Sequence, residues 1–253
     1  GGTLDLEPIN LILKNSITLN VATSLEAKVT LATSNYSGIR IKSLDYNDDY
    51  EFKKEDLTDD NLYFKNKFSH MSFVLQVIDL FNIRANLDLT LSSGAPAGSG
   101  LGGSSAMGIT LYKALCRYTG YTFDVTEAVM KIKSTEARVL AKGVPGYQDY
   151  YPAAVGGILA LKGVAGKVEV EQLFDYELKK FLETHITLVY SGISRNSGIN
   201  NWDVYKDFFD GNESVKKALS DIADISYETY LSIKNKDYKK LLNLIFIAKT
   251  HFS

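Results

Sequence analysis

The segment Gly94-Ala95-Pro96-Ala97-Gly98-Ser99-Gly100-Leu101-Gly102-Gly103-Ser104-Ser105-Ala106 constrains this chain more than any other. Glycine is not abundant overall, yet six of the 19 in the chain lie between residues 94 and 108. They follow an alternating Leu87-Asp88-Leu89-Thr90-Leu91 run, which predicts a strand. They precede Ser104–Tyr118, where Met107, Leu111, Ala114 and Leu115 recur at helical spacing and Gly120 supplies a left-handed stop. A helix N-terminus offers unpaired N–H groups and the positive end of the helix dipole. Glycines before it let several N–H groups converge on one anion, so the arrangement predicts a phosphate site. A flexible Gly/Ser linker is the competing reading, and the strand before, the helix after and the lone apolar Leu101 count against it. A Walker A loop does not fit, since no lysine follows. A G-x-G-x-x-G match from Gly98 to Gly103 exists, but the upstream region is not βαβ and the acid about twenty positions on is only Asp124.

The rest of the chain reads as mixed helix and strand. Ile17–Thr23, Leu25–Thr33 and Ile39–Tyr46 are predicted strands, Asp45–Asn61 an acidic surface excursion, and Phe68–Phe81 a helix. A helix from Asp124 to about Leu140 opens on a capping-box-like Asp124/Glu127 pair. Val155–Lys162 and Lys167–Gln172 predict a hairpin, His185–Ser191 another strand, and Lys216–Ile233 and Asp237–Lys249 helices. The change from strand-rich to helix-rich sequence near 180–200 predicts a domain boundary.

Composition narrows the function. Lys+Arg 28 against Asp+Glu 30 leaves a net charge of −2, without the basic excess of a nucleic-acid binder. Cys116 is the single cysteine, which excludes an intramolecular disulfide framework and suits a reducing, cytoplasmic setting. His70, His185 and His251 show no metal-site spacing. No run reaches the roughly 18 apolar residues of a membrane span, so no membrane partner is expected.

Two acids stand out. Glu136 shares a helical face with Val129, Ile132, Val139 and Leu140, the face that should be buried. It is either salt-bridged or a ligand for Mg²⁺, which is commonly held by one or two carboxylates and phosphate oxygens. Asp149 sits between Pro145 and Pro152, in a turn stiff enough to fix a catalytic group or to be an ordinary turn. Tyr147 and Tyr150 beside it are candidates to line a pocket.

The stretch Pro96-x-x-x-Gly100-Leu101-Gly102-Gly103-Ser104-Ser105-Ala106 resembles the second motif of the galactose, homoserine, mevalonate and phosphomevalonate (GHMP) kinases. Gly146-x-Gln148-Asp149-x-Tyr151-x-Ala153-x-x-Gly156-Gly157 resembles the matching segment of their sugar branch, closest to heptose-7-phosphate kinases and fucokinase-type enzymes. Gly1-Gly2-Thr3-Leu4-Asp5-Leu6 resembles that branch's substrate loop with Leu4 inserted, and Tyr190–Ser197 its Thr-Gly-x-Ser-Arg-x-Ser segment.

The resemblance implies an α+β fold of two domains. Residues 1–182 would be the ATP-binding and catalytic domain, with a left-handed βαβ-type ATP loop. Residues 183–253 would be part of a ferredoxin-like domain. It implies ATP and Mg²⁺ as cofactors and a sugar or sugar phosphate as substrate. Pro96, Gly98, Ser99, Gly100, Leu101, Gly102, Gly103, Ser104 and Ser105 would hold ATP. Ser104, or its neighbour Ser105, would share the metal with Glu136. Asp149 would be catalytic, and Thr3, Asp5, Gly146, Gln148, Asp149 and Arg195 would meet the substrate. Arg195 pairing with a surface acid is an equal reading. The family's third, C-terminal glycine motif has no counterpart, and neither does its first strand, so both ends of the family pattern are expected to be absent. A kinase of a non-sugar alcohol and a non-catalytic nucleotide-binding protein are the alternatives. The sequence leaves the oligomeric state open, a homodimer included.

Overall fold

The computed structural model describes residues 4–64, 67–96, 98–140, 145–190, 192 and 197–251. Its strands are β1 (Thr18–Val21), β2 (Ala27–Thr33), β3 (Gly38–Ser43), β4 (Asp48–Lys53), β5 (Leu87–Ser93), β6 (Ile158–Val164) and β7 (Lys167–Gln172). Its α-helices are α1 (Ile9–Ile12), α2 (Ser72–Asp79), α3 (Gly103–Thr119), α4 (Val125–Val139), α5 (Tyr150–Val155), α6 (Tyr176–His185), α7 (Ser197–Phe209), α8 (Glu213–Lys234) and α9 (Tyr238–His251). Two sheets result. One has the order β2-β5-β3-β4 with β3 and β5 parallel, and the other is antiparallel in the order β1-β6-β7.

The alternation read in β5 has a direct consequence. Leu87, Leu89 and Leu91 enter the main core beside Ile39 and Ile41 of β3. Asp88 faces away, and the register sets it beside Arg40, with a 2.6 Å ion pair too exposed to add much stability. In β6 the run Ile158-Leu159-Ala160-Leu161 is apolar throughout because both of its faces are covered. Leu159 and Leu161 join the main core, while Ile158 and Ala160 meet Ile17, Leu178 of α6 and Leu241 of α9.

Helices α2, α3 and α4 pack together in the main core. In α3 the buried residues Gly108, Leu111, Tyr112, Leu115 and Cys116 follow the helical period. Gly120, left-handed at φ 81°, ends the helix as its sequence position suggests. Asp124 caps α4 by accepting the Glu127 N–H at 2.8 Å. Leu111 is fully buried, so Leu111→Ala is expected to lower unfolding free energy by about 2–5 kcal/mol. A urea midpoint unchanged from wild type would show that this stripe is not the core.

Several expectations need correction. The excursion over 45–61 contains β4, where Tyr50 and Phe52 alternate with Asp49, Glu51 and Lys53 and pack on the core. Acidic composition masked a period-2 pattern. The strand expected at His185–Ser191 is not formed in its described residues: His185 ends α6, and 186–190 have no regular structure. Apolar alternation makes a strand only when a ladder partner takes up the backbone groups, and none lies alongside among the described residues. Helices α5 and α6 were not anticipated at all. The division expected at 182/183 falls inside α6. Beyond α6 the described residues form helices and no strand. These helices pack back on the N-terminal segment, where Leu4 and Ile9 share a cluster with Phe208, Leu219, Ile222 and Ala223. Among the described residues no helix is long and apolar enough to cross a membrane.

Candidate active site

The glycine segment leaves the end of β5 under tight control. Asp45 accepts the Ser93 N–H with both carboxylate oxygens, at 2.8 and 2.9 Å, and Ser93 Oγ accepts the Ala95 N–H at 3.2 Å. Beyond this anchor Gly98, Gly100 and Gly102 are all left-handed, with φ of 71°, 75° and 68°. Left-handed residues at every second position are the conformation that turns successive N–H groups to one side, as in anion-binding nests. Ser99 N–H bonds to Pro96 O at 3.1 Å, closing the turn, and Pro96, Gly98 and Gly100 are exposed while Leu101 is half-buried. Helix α3 then starts with no side-chain cap, and its first intrahelical bond runs from Ala106 N–H to Gly102 O at 2.9 Å. The N–H groups of Gly103, Ser104 and Ser105 therefore open the helix without intrahelical partners.

Glu136 lies beneath this helix start and is only 9% exposed. Three hydroxyls donate to its carboxylate: Ser104 to Oε1 at 2.5 Å, Ser105 to Oε2 at 3.2 Å and Tyr150 to Oε2 at 2.5 Å. Among the described residues no cation pairs with it, so no salt bridge is seen there. The buried carboxylate is kept by hydrogen bonds to the charged form instead. Burial and the Glu136 charge push the Tyr150 hydroxyl pKa well up, so that it stays a donor. Ser104 is exposed at the helix start whereas Ser105 is buried, which distinguishes two neighbours that the sequence left equivalent.

Asp149 stands on the other side of the glycine segment. A Cβ built on Gly102 would lie 3.0 Å from Asp149 Cβ and Cγ and 3.2 Å from Oδ1. Gly102 thus has two reasons to be glycine, its left-handed backbone and this close approach. Asp149 precedes α5 but makes no capping bond with its side chain. Burial, and then the charge of Glu136, raise its pKa to about 6. It is ionised at neutral pH yet more basic than an ordinary aspartate, which suits proton acceptance.

The other expected substrate residues divide. Asp5 is 5% exposed, and its Oδ2 accepts the N–H groups of Tyr147 at 2.5 Å and Gln148 at 2.6 Å. Its carboxylate is occupied by the turn rather than presented at the surface. Gly146 touches Asp5, and Gln148 is half-buried with its carbonyl bonded to Asn20 Nδ2 at 3.1 Å. Thr3 and Arg195 lie outside the described residues. Asn20 was missed as a site residue, and Tyr150, expected only to line a pocket, donates to Glu136. The place of Tyr150 next to Asp149 pointed to the pocket but not to this bond, and Asn20 had no signal.

Residues 71–157, the stretch that supplies the glycine loop, Glu136 and Asp149, match the family described as GHMP kinases N terminal domain. That stretch is similar to a GHMP kinase N-terminal domain. The chain is 28% identical over 137 residues to an L-fucokinase/L-fucose-1-P guanylyltransferase of Bacteroides fragilis, covering 51% of this chain and 14% of that protein. It is 24% identical over 174 residues to a mevalonate kinase of Methanothermobacter thermautotrophicus, covering 69% of this chain and 55% of that one. The GHMP fold extends well beyond the matched stretch. A D-glycero-D-manno-heptose 1-phosphate kinase from Bacteroides thetaiotaomicron superposes on 99% of this chain and 76% of its own, with a TM-score of 0.71 at 20% identity. The mixed helix-and-sheet fold expected from the sequence is matched by this neighbour, and the chain spans only part of the length of these relatives.

Proposed function

We propose that this chain is the catalytic part of an ATP- and Mg²⁺-dependent kinase that phosphorylates a hydroxyl of a sugar or sugar phosphate. The observation that carries the reading is the close approach of Gly102 to Asp149, which supports a proton acceptor set against the mouth of a phosphate cradle. The left-handed glycines and the open start of α3 would receive the phosphates. Asp149 would orient the acceptor hydroxyl and take its proton, and positioning together with charge stabilisation would supply most of the rate.

The residues present fit Mg²⁺. Among the described residues no group of three His, Cys, Asp or Glu could hold a metal ion alone. An exposed Ser104 hydroxyl beside one Glu136 carboxylate is the oxygen donor set that phosphate oxygens and water complete. The ion, when bound, neutralises charge on the transferring phosphoryl group. Resemblance to the fucokinase and heptose-kinase pattern around Gln148-Asp149 supports the sugar acceptor. Relatedness to a mevalonate kinase favours a second reading, a non-sugar alcohol acceptor.

The test is phosphoryl transfer from ATP in the full-length protein with a panel of sugars, sugar phosphates, mevalonate and homoserine, with products identified by NMR. Transfer to a sugar hydroxyl upholds the proposal, transfer only to mevalonate or homoserine replaces it, and ATP binding without any transfer overturns it. Gly102→Ala probes the carrying contact. The left-handed backbone alone costs an L-residue about 1–2 kcal/mol. The added methyl would also displace Asp149, so turnover is expected to fall by at least about tenfold. Turnover equal to wild type, measured beside a melting curve, would disprove the contact's role.

A further inference from the structure

Asp5 and Tyr147 are far apart in sequence, yet one carboxylate oxygen of Asp5 accepts two consecutive backbone N–H groups, from Tyr147 and Gln148. Gly146 closes the same contact from the side, since a Cβ there would stand 2.0 Å from Asp5 Oδ1. Asn20, from β1, grips the next peptide unit through the Gln148 carbonyl at 3.1 Å. The peptide planes on both sides of Gln148 are therefore held by side chains from remote parts of the chain. The second of those planes leads directly into Asp149.

We infer that Asp5 and Asn20 are positioning residues that hold the Tyr147–Gln148 backbone so that Asp149 faces the glycine loop, and that Asp5 does not contact the acceptor. The inference rests on the kinase reading above. Its support is geometric. Asp5 is buried, and its second oxygen has no hydrogen-bond partner among the described residues. Asp5 lines, with Asn10 and Thr18, a cavity of about 10 Å³, room for one water molecule and too small for a sugar. A displacement of about 1 Å at a reacting group is enough to cost roughly 100-fold in rate, so a clamp on this turn has kinetic weight without touching substrate.

The experiment compares Asp5→Ala, Asp5→Asn and Asn20→Ala in the full chain by steady-state kinetics and residue-level amide exchange. Asp5→Ala removes the acceptor and is expected to lower kcat about 100-fold, with KM for ATP and acceptor within about threefold of wild type. Asp5→Asn keeps a neutral carbonyl acceptor and is expected to recover about tenfold of that loss, because charge-assisted bonds are only about twice as strong. Asn20→Ala is expected to move kcat in the same direction. Exchange at Tyr147 and Gln148 should be protected in wild type and Asp5→Asn and lost in Asp5→Ala. Should Asp5→Ala not fold, the other two variants carry the comparison.

An acceptor KM raised tenfold or more in Asp5→Asn with kcat unchanged would overturn the inference and make Asp5 a substrate contact. Unaltered exchange and kcat in Asp5→Ala would overturn it as well. Failure of the kinase reading is separate: wild type itself would transfer nothing. Loss of protection in Asp5→Ala would then mark a structural clamp only, and the positioning role would fall with that reading.

Discussion

Asp149→Asn is expected to lower kcat for phosphoryl transfer at least about 1000-fold, with ATP affinity within about threefold of wild type. A positioned general base contributes about 100- to 10,000-fold, and Asp149 would also orient the nucleophile. The acceptor must be ionised, so wild-type activity should fall as pH drops through about 6, the pKa to which burial and Glu136 raise Asp149. Residual turnover in the variant should lack that acidic limb. The same shift has a stability consequence of known sign. A carboxyl whose folded pKa is raised from 3.8 to about 6 contributes stability that is full below the lower value and lost as pH rises through the higher. Asp149→Asn, which removes the buried charge, should therefore melt higher than wild type at pH 8, by up to about 3 kcal/mol, and converge with it near pH 4. An inactive but more stable variant would separate catalytic loss from unfolding. Full turnover would remove Asp149 from the mechanism.

Glu136→Gln is the second large effect. The side chain keeps its volume, but three hydroxyls that now donate to a carboxylate would face a neutral amide, one side of which is itself a donor. Stability should fall by about 1–3 kcal/mol, the usual range for an imperfectly satisfied buried group. The kinetic effect should be larger, about 100-fold or more in kcat/KM at millimolar Mg²⁺, with partial recovery as Mg²⁺ is raised. Any residual activity should show its acidic limb at lower pH, because the charge that helps raise the Asp149 pKa is gone. A Mg²⁺ dependence identical to wild type would exclude Glu136 from the metal site. Titrating Mg²⁺ against initial rate for both proteins decides it.

The legible parts of this protein are those whose cause is local. The β5–glycine–α3 order follows from Leu87-Asp88-Leu89-Thr90-Leu91, the glycine run and the stripe that includes Leu111 and Leu115, all within about 30 residues. The helix carrying Glu136 on an apolar face is equally local. Where local signals conflicted, composition misled: Tyr50 and Phe52 of β4 were hidden among acids, and Ile186–Tyr190 alternate without forming a strand.

By itself the sequence determined that a glycine-rich loop opens a helix, that a second helix carries a carboxylate on its buried face, and that Asp149 sits in a proline-bounded turn. Local backbone preference and period are enough for each. Only the tertiary structure decided that Ser104, Ser105 and Tyr150 share Glu136, that Gly102 closely approaches Asp149, and that Asp5 is occupied by the Tyr147–Gln148 turn 142 residues away. Those are contacts between chain segments brought together by packing. A buried carboxylate takes whichever donors folding places around it, and that choice is made by the whole core.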